Sequence, residues 1–203
     1  MENPLRISVG REFGSGGHLI AEKLSQRFGI KLYDHNFLDE IAAKHNGDIE
    51  SIRKFDEAPK LRILSRTVRG YNNSPEDVVT QLQFEYMKER ADAGESFVIV
   101  GRCSETVLKY HPAMISIFVL GDYDKKLERV KEKYNLSEKE AKSLMKLKDK
   151  KRKSYHNYNC DLHWGDSRLY EVSINSSRLG IDETVDILED YINRRIKNIK
   201  ETE

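Results

Sequence analysis

The chain has little cysteine, no strong excess of either charge and no apolar run long enough to span a bilayer, and each shortage removes a class of protein. Only Cys103 and Cys160 occur in 203 residues, with no Cys-x-x-Cys spacing, which excludes a disulfide framework and a zinc ribbon. Both are read as reduced thiols. Cys160 and His163 are separated by two residues, but no second pair follows nearby, so no metal site is read from them. A formal net charge of +1 provides no long-range attraction to nucleic acid or to a membrane, and basic function must come from local clusters. The segment Met1 to Arg6 shows neither a basic leader before a long apolar block nor a small-residue cleavage site, so a cytoplasmic location is expected. What is present, 38% hydrophobic and 34% charged residues, fits one soluble domain with a sizeable core.

Short apolar strands alternate with amphipathic helices, the pattern of an α/β fold with a mostly parallel sheet. Five strands are expected, at Leu5 to Val9, Ile30 to Tyr33, Phe97 to Val100, Ile115 to Leu120 and Glu171 to Ile174. The first helix begins near His18, sets Ile20, Leu24 and Phe28 on one face and stops at Gly29. From Asn36 to Gly94 the pattern is helical, with Phe37 to Lys44, a segment around Ile49 to Val68, and Pro75 to Ala93 behind a Ser74 cap. Such a stretch exceeds what a crossover needs and reads as an insertion able to close over a ligand. Ser137 to Glu140 forms a capping box for a further helix carrying five lysines and one arginine between Lys146 and Lys153. In the last helix Val185, Leu188, Ile192, Ile196 and Ile199 form one stripe.

Between the first strand and first helix lies Ser8-Val9-Gly10-Arg11-Glu12-Phe13-Gly14-Ser15-Gly16-Gly17-His18. A strand, a glycine turn and a helix N-terminus aim N–H groups and a positive dipole end at one point, which suits a phosphate. In the Walker A register, Gly-x-x-x-x-Gly-Lys-Ser/Thr, Gly16 matches the second glycine. Arg11 stands at the first glycine, Gly17 at the lysine and His18 at the hydroxyl. Gly14, Ser15, Gly16, Gly17 and His18 are therefore the candidate phosphate cradle. Arg11 or His18 would supply positive charge in place of the lysine, and a purely structural turn is the alternative.

Three further groups carry chemistry. Arg102 follows the buried strand Phe97 to Val100 and Gly101, at the edge where ligands sit in open α/β sheets, and its guanidinium would fork onto a phosphate. Asp34 ends the second strand, where it would orient an acceptor hydroxyl, hold a metal through water, or cap the next helix. Lys148 and Arg152 would stabilise a transferring phosphoryl group, although solvated helix faces produce the same pattern. The basic run and the aromatics up to Tyr158 also permit an RNA reading, ranked last because the overall charge is near zero.

Together these pieces resemble the cytidylate kinase-like family of P-loop nucleoside monophosphate kinase relatives. The carriers are Ser8 to Gly17, Leu32-Tyr33-Asp34, Val98 to Cys103, and Ile174-Asn175-Ser176-Ser177. Cytidylate kinases have an Asp-Gly-Arg-Asp signature after the third strand; Gly101-Arg102 match its middle, with Val100 and Cys103 in place of the aspartates. Their lid pattern, Arg-Asp-x-Arg-Asp-x-x-Arg, is similar in charge to Lys148-Asp149 followed by Lys151, with Arg152 a nearby cation. The resemblance implies a three-layer P-loop kinase-like fold with a five-stranded, mostly parallel sheet. Its core would be 1–35, 95–136 and 161–203, with a helical acceptor-binding insertion at about 36–94 and a helical lid at about 137–160. It further implies ATP with Mg2+ as donor and a pyrimidine monophosphate as acceptor. The residues leave the acceptor open to any nucleoside monophosphate or similar small molecule and suggest catalytic roles for Arg11, Lys148 and Arg152 beside acceptor-binding Asp34 and Arg102, while the near-zero charge makes nucleic-acid and membrane partners unexpected. The competing expectation is a nucleotide- or anion-binding regulatory module that has kept the fold and lost catalysis.

Overall fold

The computed structural model describes residues 4–34, 37–44, 67–68, 71–72 and 74–202. Five strands, β1 (Arg6–Arg11), β2 (Lys31–Tyr33), β5 (Phe97–Val100), β6 (Met114–Leu120) and β7 (Val172–Asn175), form one sheet in the order β2-β5-β1-β6-β7. Every pairing in it is parallel, so the strands' carboxyl ends share one edge. All five strands fall where the apolar runs place them, with ends shifted by at most two residues. β1 is the middle strand, and its register with β5 sets Val9 beside Val100. The Arg11 and Gly101 that follow are thereby neighbours.

Helices cover both faces. On one face, α1 (Gly17–Phe28) and the inner stripe of α7 (Ser176–Thr202) bury Ile20, Leu24, Val185, Leu188 and Ile192 against Ile7, Val9, Ile115 and Ile117. Each such aliphatic side chain removed from water contributes about 1.5–3 kcal/mol. α7 breaks at Gly180, where φ is 82°, and its regular part starts with Ile181. On the other face α2 (Phe37–Lys44), α3 (Pro75–Asp92) and the single turn α4 (Ser104–Val107) bury Phe37, Ile41, Met87 and Leu108 against Phe97 and Ile99.

Ser74 caps α3 as its side chain predicts, accepting the Asp77 N–H at 3.2 Å. The segment expected to be helical around Ile49 to Val68 lies outside the described residues up to position 66. Its end is not helical: β3 (Thr67–Val68) pairs antiparallel with β4 (Tyr71–Asn72). Thr67, Val68 and Tyr71 are β-branched or aromatic and favour extended backbone over helix.

α5 (Tyr123–Tyr134) and α6 (Glu138–Asn159) form an antiparallel pair at the sheet's carboxyl edge, with Val130, Ala141 and Met145 buried around Phe13 of the glycine loop. The capping box at Ser137 and Glu140 starts α6, and the helix runs unbroken through the basic cluster and Tyr155 to Asn159. Among the described residues, no helix is long and apolar enough to cross a membrane.

Candidate functional site: an arginine-lined pocket beside the glycine loop

The loop after β1 is held open by bonds from four directions. Gly14 and Gly16 take φ of 84° and 82°, a left-handed conformation that glycine adopts without a Cβ penalty. The Ser15 hydroxyl donates to the Glu12 carbonyl at 2.9 Å and accepts the Gly17 N–H at 3.3 Å. From α7, the buried Ser176 hydroxyl donates to the Ser15 carbonyl at 2.5 Å. From α5, Arg129 donates to the Gly14 carbonyl at 2.5 Å and the Lys126 ammonium lies 2.7 Å from the Glu12 carboxylate. From α6, Asp149 accepts the Phe13 N–H at 2.7 Å. The N–H groups of Gly14 and Gly16 have no acceptor among the described residues. The first turn of α1 contains no acidic residue, and its N-cap, Gly16, has no side chain to cap it. The loop thus presents N–H groups and the positive end of a helix.

Arg11 leaves β1 beside this loop and crosses toward β5. A Cβ at Gly101 would sit 2.3 Å from the Arg11 Nη1, and a Cβ at Gly17 would sit 2.5 Å from the Arg11 Cβ. Both glycines therefore make room for one arginine.

At the end of β5, Gly101, Arg102 and Cys103 take φ of 76°, 61° and 56° in succession. Two adjacent non-glycine residues in the left-handed region are costly, and such strain gathers at functional sites. The turn is braced from beneath. Ser104 donates its hydroxyl to the Gly101 carbonyl at 2.7 Å and meets the buried Ser8 hydroxyl at 2.6 Å. It turns Arg102 inward to 8% exposure. Burial lowers the Arg102 pKa and Arg152 adds to that effect, while Tyr155, Cys103 and Asp34 oppose it.

Arg11, Arg102 and Arg152 line a single cavity of about 20 Å³, enough for roughly one water. Its wall includes Tyr155, Trp164 and Tyr170, with Gly10 beneath the rings: a Cβ there would come within 2.8 Å of Phe118 and 3.1 Å of Tyr170. Arg152 reaches it from α6, with its guanidinium 5.5 Å from the centre of the Phe13 ring and a 3.4 Å bond to the Arg11 carbonyl.

Three of the arginines and lysines singled out from sequence thus converge, and one does not. Lys148 is exposed on α6 and takes no part in the cavity wall. Asp149, the next residue, turns to the loop instead, and its pKa is raised by burial against the pull of the Phe13 N–H and Arg152. Asp34 stands three residues before the start of α2 at Phe37, and its carboxylate lies 3.7 Å from the His18 Nε2, so the strand end and the first turn of α1 face each other. Lys126, Arg129, Asp149 and Ser176 were not expected at the site. Ser176 and Asp149 had signals, as parts of the Ile174 to Ser177 motif and of the Lys148-Asp149 lid pattern. The two α5 cations sit three residues apart, a helical spacing that faces one side but does not say which.

The cysteines also differ from the sequence reading. Cys160 gathers with Cys103 and His156 rather than with His163, their ligand atoms all within 4.8 Å of one another. Spacing hid this group, because Cys103 comes from a distant element.

Comparison with known proteins bears on the family and the fold. The family description for the cytidylate kinase-like family matches residues 6–178. A crystal structure of an uncharacterized protein from Eubacterium ventriosum is 38% identical, with a TM-score of 0.75 over 93% of this chain and 98% of that one. The shikimate kinase from Acinetobacter baumannii, solved with shikimate, is 14% identical with a TM-score of 0.52 over 95% of each chain. The shikimate kinase from Bacteroides thetaiotaomicron is 11% identical with a TM-score of 0.54, over 93% of this chain and 98% of that one. The last two share the fold. No match is found among proteins with curated functions. With its P-loop kinase-like sheet, its glycine loop and its Gly101-Arg102 turn, the chain belongs to the cytidylate kinase-like family.

Proposed function

We propose that the protein is an ATP-dependent phosphotransferase that moves the terminal phosphoryl group to a nucleoside monophosphate or a similar small anionic acceptor. The observation that carries this reading is the convergence of Arg11, Arg102 and Arg152 on one cavity at the carboxyl edge of a parallel sheet. Three guanidinium groups sharing so little space repel one another, and an anion between them removes that cost. Phosphoryl transfer needs mainly positioning and positive charge around the equatorial oxygens, and these residues supply both.

In this reading the donor's phosphates lie on the N–H groups of Gly14 and Gly16 and at the start of α1. Arg11 takes the part of the missing lysine, since its side chain fills the space that a side chain at position 17 would enter. Arg102 grips the acceptor's phosphate, and Asp34 and His18 lie at the same edge to meet the rest of the acceptor. Arg152 comes with α6 as a lid cation. The cavity is too small for a phosphate, so α6 must part from the loop to admit ligands, breaking the Asp149–Phe13 and Arg152–Arg11 bonds.

The residues fit ATP's phosphates better than they fit Mg2+. That ion prefers oxygen ligands, yet His18 stands at the hydroxyl position and the Glu12 carboxylate is engaged by Lys126 and the Gly121 N–H. Asp34, beside His18, is a carboxylate at this edge that would hold it, and the ion would neutralise charge on the transferring phosphate.

This same feature favours a second reading, a nucleotide-binding module without turnover. One experiment separates the two. A panel of monophosphates with ATP and Mg2+, followed by product detection and by melting temperature, should show ADP formation with at least one acceptor. Ligand-dependent stabilisation with no product for any acceptor would select the second reading, and neither signal would reject both.

A further inference from the structure

We propose that Cys103, His156 and Cys160 form a binding site for a thiophilic divalent metal ion of the Zn2+ class, tying α6 to the turn that carries Arg102. His156 lies in the last turn of α6 and Cys160 just past its end, where its N–H still donates to the His156 carbonyl at 2.9 Å. Cys103 meets them from the β5–α4 turn, and the three ligand atoms already lie within 4.8 Å of one another. Tetrahedral bonds of about 2.0–2.3 Å place donors roughly 3.3–3.8 Å apart, so side-chain rotation closes the remaining gap.

The orientation of His156 is the second observation. Its Nε2 lies 2.7 Å from the Glu105 Oε1, with both side chains at 5% exposure or less. A carboxylate that takes the Nε2–H fixes the tautomer and leaves Nδ1 with its lone pair, as outer carboxylates do for metal-bound imidazoles. That Nδ1 is buried and makes no hydrogen bond of normal geometry, and the Cys160 thiol interacts with the same ring that Glu105 holds. A metal ion would bond both that nitrogen and that sulfur.

Two sulfurs and an imidazole suit Zn2+ and disfavour Mg2+, so this site is separate in chemistry from any ion carried with a nucleotide. Its place gives it a consequence. Cys103 directly follows Arg102, and His156 lies one turn beyond Arg152, so a bound ion would join the two arginine-bearing elements. Three protein ligands leave a fourth position for water or another ligand.

Cobalt titration of the full chain, reduced and stripped of metal, tests the proposal without any assay of turnover. One equivalent of Co2+ should produce a thiolate-to-metal charge-transfer band in the near ultraviolet with the visible bands of tetrahedral cobalt, and Zn2+ should abolish both. Replacing Cys103 and Cys160 together by Ala should remove the band, and Glu105→Gln should weaken affinity by about 10–100-fold while keeping the spectrum. Absence of the charge-transfer band in the folded wild-type chain would overturn the site, and so would a band that survives loss of both cysteines.

Discussion

Arg11 and Gly17 use the same space. A Cβ at position 17 would lie 2.5 Å from the Arg11 Cβ and 3.1 Å from its Cγ, so the loop accommodates a long side chain at one of these positions and not at both. In a Walker A loop the glycine is at the first of them and the lysine at the second, and here the pair is exchanged. Gly17→Lys alone should therefore destabilise the fold by about 1–3 kcal/mol through overpacking, offset in part by up to about 1 kcal/mol of helix propensity. Combined with Arg11→Gly it should recover, giving a favourable coupling of about 0.5–3 kcal/mol in a double-mutant cycle read by denaturant unfolding. Additive effects of the two changes would show that the side chains do not compete.

Arg102 is the buried member of the cluster, and its proposed task is geometric. Arg102→Lys keeps the charge and loses the planar fork, so it should behave nearly as badly toward an acceptor as Arg102→Ala. The expected loss of acceptor affinity is about tenfold to a hundredfold in both, with ATP-induced stabilisation within about twofold of wild type. Equal acceptor affinity in the Ala variant would remove Arg102 from that role. A Lys variant that binds as wild type does would leave the charge and reject the fork.

The hydroxyl of Ser176 reaches from the start of α7 to the Ser15 carbonyl at 2.5 Å, and the residue is fully buried. Ser176→Ala leaves that carbonyl without its donor and should cost about 1–2 kcal/mol of stability. Because the bond positions the loop, ATP affinity should fall as well, while acceptor binding at Arg102 stays. Calorimetric titration of the two ligands separates these effects; an equal drop for both would mean general destabilisation.

The sheet and most helices were legible because they rest on local rules. Apolar runs such as Phe97 to Val100 end in turn residues, and α6 announces itself by the Ser137–Glu140 box. The places of Arg11 and Arg102 were legible for a related reason, since each stands at or just past the end of a strand at the sheet's carboxyl edge. Lys148 lies away from the cavity wall because a helix face is fixed by packing. Ala141 and Met145 point α6 into the cluster around Phe13, and the same rotation sends Asp149 to the loop and Lys148 to solvent. The Cys103, His156 and Cys160 group was out of reach altogether, as it depends on where the far end of α6 meets the β5 turn.

Asp149 links α6 to the loop under an electrostatic penalty, which predicts an unusual pH response. Burial raises its pKa above the ordinary aspartate value, although the Phe13 N–H, Arg152 and Lys126 act in the opposite direction. The folded state therefore holds this proton more tightly than the unfolded state. Its contribution to stability is fully present below the unfolded pKa and is lost as pH rises through the folded one. Asp149→Asn retains an oxygen to accept the Phe13 N–H and carries no charge. Its stability relative to wild type should be close to zero near pH 3, about a unit below the free aspartate value, and should become more favourable toward pH 7. Asp149→Ala loses the acceptor itself and should be less stable than Asp149→Asn at both pH values by about 1 kcal/mol. Chemical denaturation at the two pH values measures all three proteins. An Asn variant that loses stability relative to wild type as the pH rises would show instead that the ionised carboxylate and its neighbouring cations outweigh its burial.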